Sequence, residues 1–272
     1  MEHTAFGLVI VGDEILSGKR ADKHLPKVIE LLNERGLHLS WAEIVGDDPA
    51  RITALLSRTM ASGDIVFSCG GIGATPDDHT RQCAAAALGV PLELHPQGRL
   101  LIQERIRETA REAGIEADLD APDNLQRLKM AEFPRGASLI PNPYNKIPGF
   151  TVGHHHFVPG FPVMAAPMIA WVLDTLYADR FHREAHVEQA VLVYEQAESV
   201  LTPLMERIEA SHPGVRVFSL PSVGDATTRR HIELGVKGDP ARVAPAYADL
   251  RAGLDALGAE VVPLRSGDGP TN

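Results

Sequence analysis

Asp64-Ile65-Val66-Phe67-Ser68-Cys69-Gly70-Gly71-Ile72-Gly73-Ala74-Thr75-Pro76-Asp77-Asp78-His79-Thr80 reads as a buried strand, a glycine turn and a helix start in direct succession. Asp64 to Cys69 is a short apolar, β-branched run of the kind that fills a parallel strand covered on both faces. Gly70, Gly71 and Gly73 then let the backbone turn sharply and leave its N–H groups uncovered. Thr75 is expected to cap a helix with Pro76 as its first residue, and Asp78 stands three residues after the cap, as in a capping box. Unpaired N–H groups and a helix dipole aimed at one spot make an anion cradle.

Asp77 and Asp78 allow two readings. They cap the helix and complement its dipole, or they hold a divalent cation between themselves and a bound phosphate, which they would otherwise repel. No lysine follows the glycines, so this is not a P-loop; Pro76 stands where a dinucleotide fingerprint has its last glycine.

The chain has 272 residues, enough for a substantial core and for two domains. Its hydrophobic fraction of 44% and charged fraction of 23% are those of a soluble globular protein. The net charge of −10, with no run of Lys or Arg, argues against a nucleic-acid surface and against an anionic membrane. A phosphate-bearing small molecule therefore needs a local site. No apolar stretch approaches membrane-spanning length. Cys69 and Cys83 have neither disulfide-framework nor zinc spacing, and a cytoplasmic protein is expected.

Ala5–Val11 reads as a first buried strand, ending in the acidic glycine loop Gly12-Asp13-Glu14-Ile15-Leu16-Ser17-Gly18. A helix is expected over Ala21–Arg35 with Gly36 as its C-cap, a strand over His38–Val45, and a helix capped by Asp48 ahead of Pro49. This β-α-β-α-β-α order predicts a three-layer α/β/α domain, with ligands bound off the carboxyl ends of the strands. Three acidic pairs then share one rim: Asp13/Glu14, Asp47/Asp48 and Asp77/Asp78.

Further along, a helix over Arg99–Ala113, a polar loop over Leu119–Asn124 and a short helix over Leu125–Met130 are expected. The Pro- and Asn-rich segment Asn142–Phe150 is irregular, and Lys146 is a candidate for the cation that the glycine loop lacks. Phe150–Val158 reads as a hairpin turning at Gly153-His154. His154, His155 and His156 do not converge on one metal ion, because strand neighbours point to opposite faces. A helix follows over Val163–Tyr177. Beyond the charged connector Asp179–Glu184 the pattern is β-α-β-β-α-β, with strands at His186–Tyr194, Val215–Leu220, Arg229–Val236 and Glu260–Leu264, predicting a small ferredoxin-like domain. The expected division is 1–180, 181–265 and a disordered tail over 266–272.

The loops Gly12–Gly18, Val45-Gly46-Asp47-Asp48 and Gly70–Thr80 resemble, in order and spacing, the N-terminal domain of competence/damage-inducible CinA-type proteins, of the molybdopterin-binding superfamily. Asn142 with Pro148-Gly149-Phe150, and Pro159-Gly160-Phe161-Pro162, resemble later turns of that family, so the likeness covers about residues 5–180. The resemblance implies an oligomeric three-layer domain binding a pterin or nucleotide diphosphate, and a divalent-metal-dependent pyrophosphatase acting on a nucleoside diphosphate sugar such as ADP-ribose. The family's nicotinamide-nucleotide deamidase domain is not expected in these 272 residues.

On that reading Asp47 and Asp78 hold Mg²⁺, Mn²⁺ or Co²⁺, while Asp13 or Asp77 positions water. Gly12, Ser17, Gly18, Gly70, Gly71, Gly73, Thr75, Lys146, Pro148 and Gly149 contact the ligand. The alternatives are a non-catalytic module holding molybdopterin or a nucleotide, and a molybdopterin nucleotidyltransferase. Asn145-Lys146 stands where the family has Gly-Thr, and this substitution bears directly on substrate identity.

Overall fold

The computed structural model describes residues 5–182, 187–225 and 227–264. The chain divides into two compact units between Phe181 and His182.

The first unit is a three-layer α/β/α domain on a six-stranded sheet ordered β2-β1-β3-β8-β7-β6. Its strands are β1 (Phe6–Val11), β2 (Leu39–Val45), β3 (Ile65–Cys69), β6 (Ser138–Ile140), β7 (Gly149–Val152) and β8 (His155–Val158). β2, β1, β3 and β8 run parallel, and β7 is antiparallel to both of its neighbours. Period-two alternation divides β1 between two cores. Leu8 and Ile10 pack with α2 (His24–Asn33) and α7 (Pro162–Leu176), whereas Val9 and Val11 pack with α3 (Pro49–Ser62) and α4 (Thr80–Leu88). Every residue of β1 and β3 is buried, which is why both read as predominantly apolar runs, Ser68 being the one polar side chain in them.

A two-stranded ribbon of β4 (Leu92–Leu94) and β5 (Glu132–Pro134), with α5 (Pro96–Glu112) and α6 (Pro122–Leu128), forms a flank over a smaller core of Ile102, Ile106 and Ala131. α6 begins inside the expected polar loop, with Pro122 in its first turn.

Three boundaries differ from expectation for local reasons. The loop after β1 contains a one-turn helix, α1 (Asp13–Leu16). α2 starts at His24 rather than Ala21, because the Asp22 carboxylate accepts from the His24 and Leu25 N–H groups at 2.8 and 2.9 Å. Thr75 is not a helix cap. Asp78 Oδ2 accepts from the Thr75 N–H at 2.9 Å and from its hydroxyl, and the Asp78 N–H donates to the Thr75 carbonyl. That closed turn holds Pro76 and Asp77 outside the helix, and α4 starts at Thr80.

The second unit comprises β9 (Val187–Tyr194), α8 (Glu198–Ser211), β10 (Arg216–Ser222), β11 (His231–Gly238), α9 (Pro240–Ala256) and β12 (Glu260–Pro263). Its sheet is antiparallel in the order β10-β11-β9-β12, and the buried sides of α8 and α9 close one core against it. This is the ferredoxin-like order. The expected strand start at His186 and the expected tail over 266–272 lie outside the described residues. Among the described residues no helix is long and apolar enough to cross a membrane.

Candidate functional site

The loops that leave β1, β2, β3 and β8 border one cavity of about 660 Å³ at the carboxyl rim of the sheet. The glycine loop forms its floor. Gly70 and Gly71 have φ of +106° and +68°, and a Cβ on Gly71 would stand 2.2 Å from the Thr80 hydroxyl oxygen. That hydroxyl donates to the Gly70 carbonyl at 3.0 Å, and the Thr80 N–H donates to the Gly71 carbonyl at 2.9 Å. In a planar trans peptide the N–H points opposite to the carbonyl. Capturing both carbonyls from behind therefore turns the N–H groups of Gly71 and Ile72 away from Thr80. Among the described residues, the N–H groups of Gly71, Ile72, Gly73 and Ala74 have no acceptor within the protein. Such a run is an anion nest.

The acids do not all reach the cavity. Asp13 and Asp47 brace each other: the Asp13 N–H donates to Asp47 Oδ2 at 2.9 Å, and the Asp47 N–H donates to Asp13 Oδ1 at 3.2 Å. This pins α1 to the loop after β2. Asp13 does not line the cavity; its neighbour Glu14 does, together with Asp47, Asp77 and Asp78. Burial holds the Asp47 carboxyl above the usual carboxylate range, and the charges of Asp13, Glu14 and Asp77 push the same way. Hydrogen bonding from Thr75 holds Asp77 below that range. Asp78 commits one oxygen to Thr75, as described above.

The expected cation is elsewhere. Lys146, in the left-handed region at φ 66°, sends its ammonium to Glu104 at 2.7 Å and to Glu108 on α5, and it does not line the cavity. Those two bonds raise its pKa. Lys19 and Arg20 line the cavity instead, and neither side chain has a partner among the described residues. The signal was present in the sequence as two adjacent cations after an acidic loop in a chain of net charge −10. Ser17 and Gly18 do not line the cavity; the turn closed by their N–H bonds to Asp13 and Ile15 delivers Lys19 and Arg20. Lys146→Ala is expected to leave ligand affinity unchanged within about twofold, measured by calorimetric titration.

The other end of the cavity is apolar, with Ile72, Met130, Ile147, Phe161 and Met164. Asn142 folds the adjoining loop, its buried amide donating to Asn145 Oδ1 at 2.8 Å and to the Ile147 carbonyl at 3.0 Å. Asn145 and Pro148 line the cavity. Gly149 lies behind them in β7, where a Cβ would stand 2.3 Å from the Phe157 carbonyl, so its role is close packing rather than ligand contact.

His155 and His156 point into opposite layers. His155 Nε2 pairs with the Thr59 hydroxyl on α3 at 2.9 Å, and His156 Nε2 pairs with the Tyr177 hydroxyl beyond α7 at 2.8 Å. Among the described residues no three His, Cys, Asp or Glu side chains gather where they would hold a metal ion.

Residues 7–178 match the profile of a family described as probable molybdopterin binding domain. The chain is 35% identical over 220 residues to a CinA-like protein of Anaeromyxobacter dehalogenans, covering 77% of this chain and 50% of that protein. It is 29% identical over 270 residues to a CinA-like protein of Gloeobacter violaceus, covering 95% of this chain and 60% of the relative. The chain thus spans half to three-fifths of the length of these curated relatives. A crystal structure of the protein CinA with unknown function from Thermoplasma acidophilum superposes with a TM-score of 0.53 at 25% identity, covering 63% of this chain and 98% of that one. With a family profile that accounts for most of its length, the chain belongs to the family of probable molybdopterin binding domains.

Proposed function

We propose that the cavity is the active site of a metal-dependent pyrophosphatase acting on a nucleoside diphosphate sugar such as ADP-ribose. The observation that carries this reading is the pairing of unlike halves. The unsatisfied N–H groups of Gly71–Ala74 and the unpaired Lys19 and Arg20 call for a phosphate. The apolar end at Met130, Ile147 and Met164 suits a flat heterocycle.

The acids fit a divalent cation. The charges of Asp13, Glu14 and Asp77 work against ionisation of the half-buried Asp47, and a cation relieves that repulsion. Asp47 and the uncommitted oxygen of Asp78 would hold it, with phosphate oxygens of the substrate completing the shell, since the described residues supply no three-ligand cluster. When bound, the metal supplies charge neutralisation at the bridging oxygen. The glycine loop and Lys19/Arg20 orient the diphosphate. Asp77, exposed at the cavity edge, positions the water that attacks one phosphorus, and the products are AMP and ribose 5-phosphate.

The test is AMP release from ADP-ribose by the full chain with Mg²⁺, Mn²⁺ or Co²⁺ against a chelator. Metal-dependent release is expected to fall at least about hundredfold in Asp47→Asn. Release that survives the chelator or the substitution overturns the assignment. Asp78→Asn is a poorer test, because it also loosens the Thr75 turn.

The lack of a three-ligand acidic cluster among the described residues favours a second reading, a module that holds molybdopterin or a nucleotide without turnover. Tight binding with no product under any of the three metals is its signature.

A further inference from the structure

Arg81 follows the glycine loop and lies beneath it, only 3% exposed. Its Nη2 donates to the Gly73 carbonyl at 2.6 Å. Its Nη1 donates to the Lys129 carbonyl and, at 3.4 Å, to the Glu132 carbonyl. Its Nε is buried without a partner. Among the described residues no carboxylate forms an ion pair with it. Burial works against its charge, and Glu132 and Asp78 are the acids near enough to favour it. A guanidinium cannot escape by losing its proton. A buried cation held by carbonyls alone is costly, and a nearby anion offsets that cost.

The contacts place that charge at two walls of the cavity. Lys129 and Glu132 flank the segment that carries Met130, and Gly73 belongs to the floor. Capture of the Gly73 carbonyl turns the N–H of Ala74 the opposite way. Thr80 does the same for the preceding N–H groups of Gly71 and Ile72. Thr80 and Arg81 thus hold three carbonyls of one loop from behind.

We propose that Arg81 is a positioning residue of the anion site: it aims the Ala74 N–H at the bound phosphate, and that phosphate adds to the balance of its buried charge. The inference rests on the reading of the cavity as a phosphate site, and it extends to any diphosphate ligand, hydrolysed or not. Arg81 touches no substrate; it acts through the Gly73–Ala74 peptide.

The experiment titrates inorganic pyrophosphate into the wild type, Arg81→Lys, Arg81→Gln and Arg81→Met, by calorimetry and by the amide resonance of Ala74. Arg81→Gln and Arg81→Met are expected to weaken binding by about ten- to hundredfold and to abolish the shift of the Ala74 resonance. Arg81→Lys, which keeps the charge, is expected to retain the shift and to stay within about fivefold of the wild type. A purely structural role lowers unfolding temperature in all three variants without this ranking. Wild-type affinity in folded Arg81→Gln overturns the role of Arg81 and leaves the phosphate site standing. No pyrophosphate binding by the wild type overturns the site and this inference with it. Where the neutral variants do not fold, Arg81→Lys decides: a retained Ala74 shift supports the proposal, and a lost one overturns it.

Discussion

Gly71→Val is expected to abolish ligand binding and to destabilise the first unit by about 3–5 kcal/mol. The backbone at Gly71 lies at φ +68°, where a β-branched residue is strained by about 1–2 kcal/mol. Space is the larger obstacle. A Cβ there would sit 2.2 Å from the Thr80 hydroxyl oxygen, and the Val11 Cγ1 stands 3.4 Å away on the other side. Relief requires Thr80 to move. Moving its side chain breaks the hydroxyl bond to the Gly70 carbonyl, and any accompanying backbone shift loosens the N–H bond to the Gly71 carbonyl; together these set the direction of the loop's N–H groups.

Gly18→Ala is the matched control. Its φ of +70° is nearly the same, but nothing lies within 4 Å of the added Cβ. It should cost only the backbone strain, about 1 kcal/mol, and leave binding intact. Denaturant unfolding and pyrophosphate titration of the two variants separate strain from clash. Equal losses in both would show that conformation alone, and not the contact with Thr80, makes Gly71 necessary.

The same contact shows where sequence reasoning stops. β1 and β3 were legible because a strand covered on both faces must be largely apolar, whatever its neighbours are. Asp48 was legible as a cap because its partner, the Arg51 N–H at 2.9 Å, lies three residues away. The ferredoxin-like order was legible because alternation and helical spacing are local properties.

Thr75-Pro76-Asp77-Asp78 reads as a helix start and is a closed turn. Both conformations use a carboxylate three residues after a threonine to satisfy that threonine's neighbourhood, so the local pattern does not distinguish them. Lys146 lies away from the cavity for the opposite reason. Its partners Glu104 and Glu108 are remote in sequence and meet it only once α5 packs. Lys19 and Arg20 reach the cavity, and Arg81 the peptide behind it, only when four loops are brought to one rim. Residue type made the glycine loop legible, and tertiary contacts decided which charges come near it.

Acidification to pH 5 is expected to remove about 4 kcal/mol of stability through His155 and His156 alone. Both rings are buried, and burial depresses their pKa values to about 4 and about 3, from 6.5 in the unfolded chain. A histidine depressed in the folded state binds its proton in the unfolded state first. Its contribution is therefore complete above pH 6.5 and is lost as the pH falls from there towards the folded values. At pH 5 the loss is about 2 kcal/mol for each ring, and it is set almost wholly by the unfolded pKa, because both folded values lie well below 5.

The geometry explains why the rings stay neutral. His156 pairs with the Thr151 and Tyr177 hydroxyls at 2.9 and 2.8 Å, and His155 pairs with the Thr59 hydroxyl at 2.9 Å. Among the described residues no carboxylate makes a hydrogen bond to either ring. The raised pKa of Asp47 works in the opposite sense, adding stability as the pH falls, so the variant comparison rather than the raw slope carries the test. Urea unfolding at pH 7.5 and pH 5 should show the wild type losing about 4 kcal/mol more over that interval than the double variant His155→Asn/His156→Gln, whose amides keep hydrogen-bonding capacity without titrating. Equal losses in the two proteins would mean that the rings gain protons without unfolding the domain, and that Thr59 and Tyr177 can turn to accommodate an imidazolium.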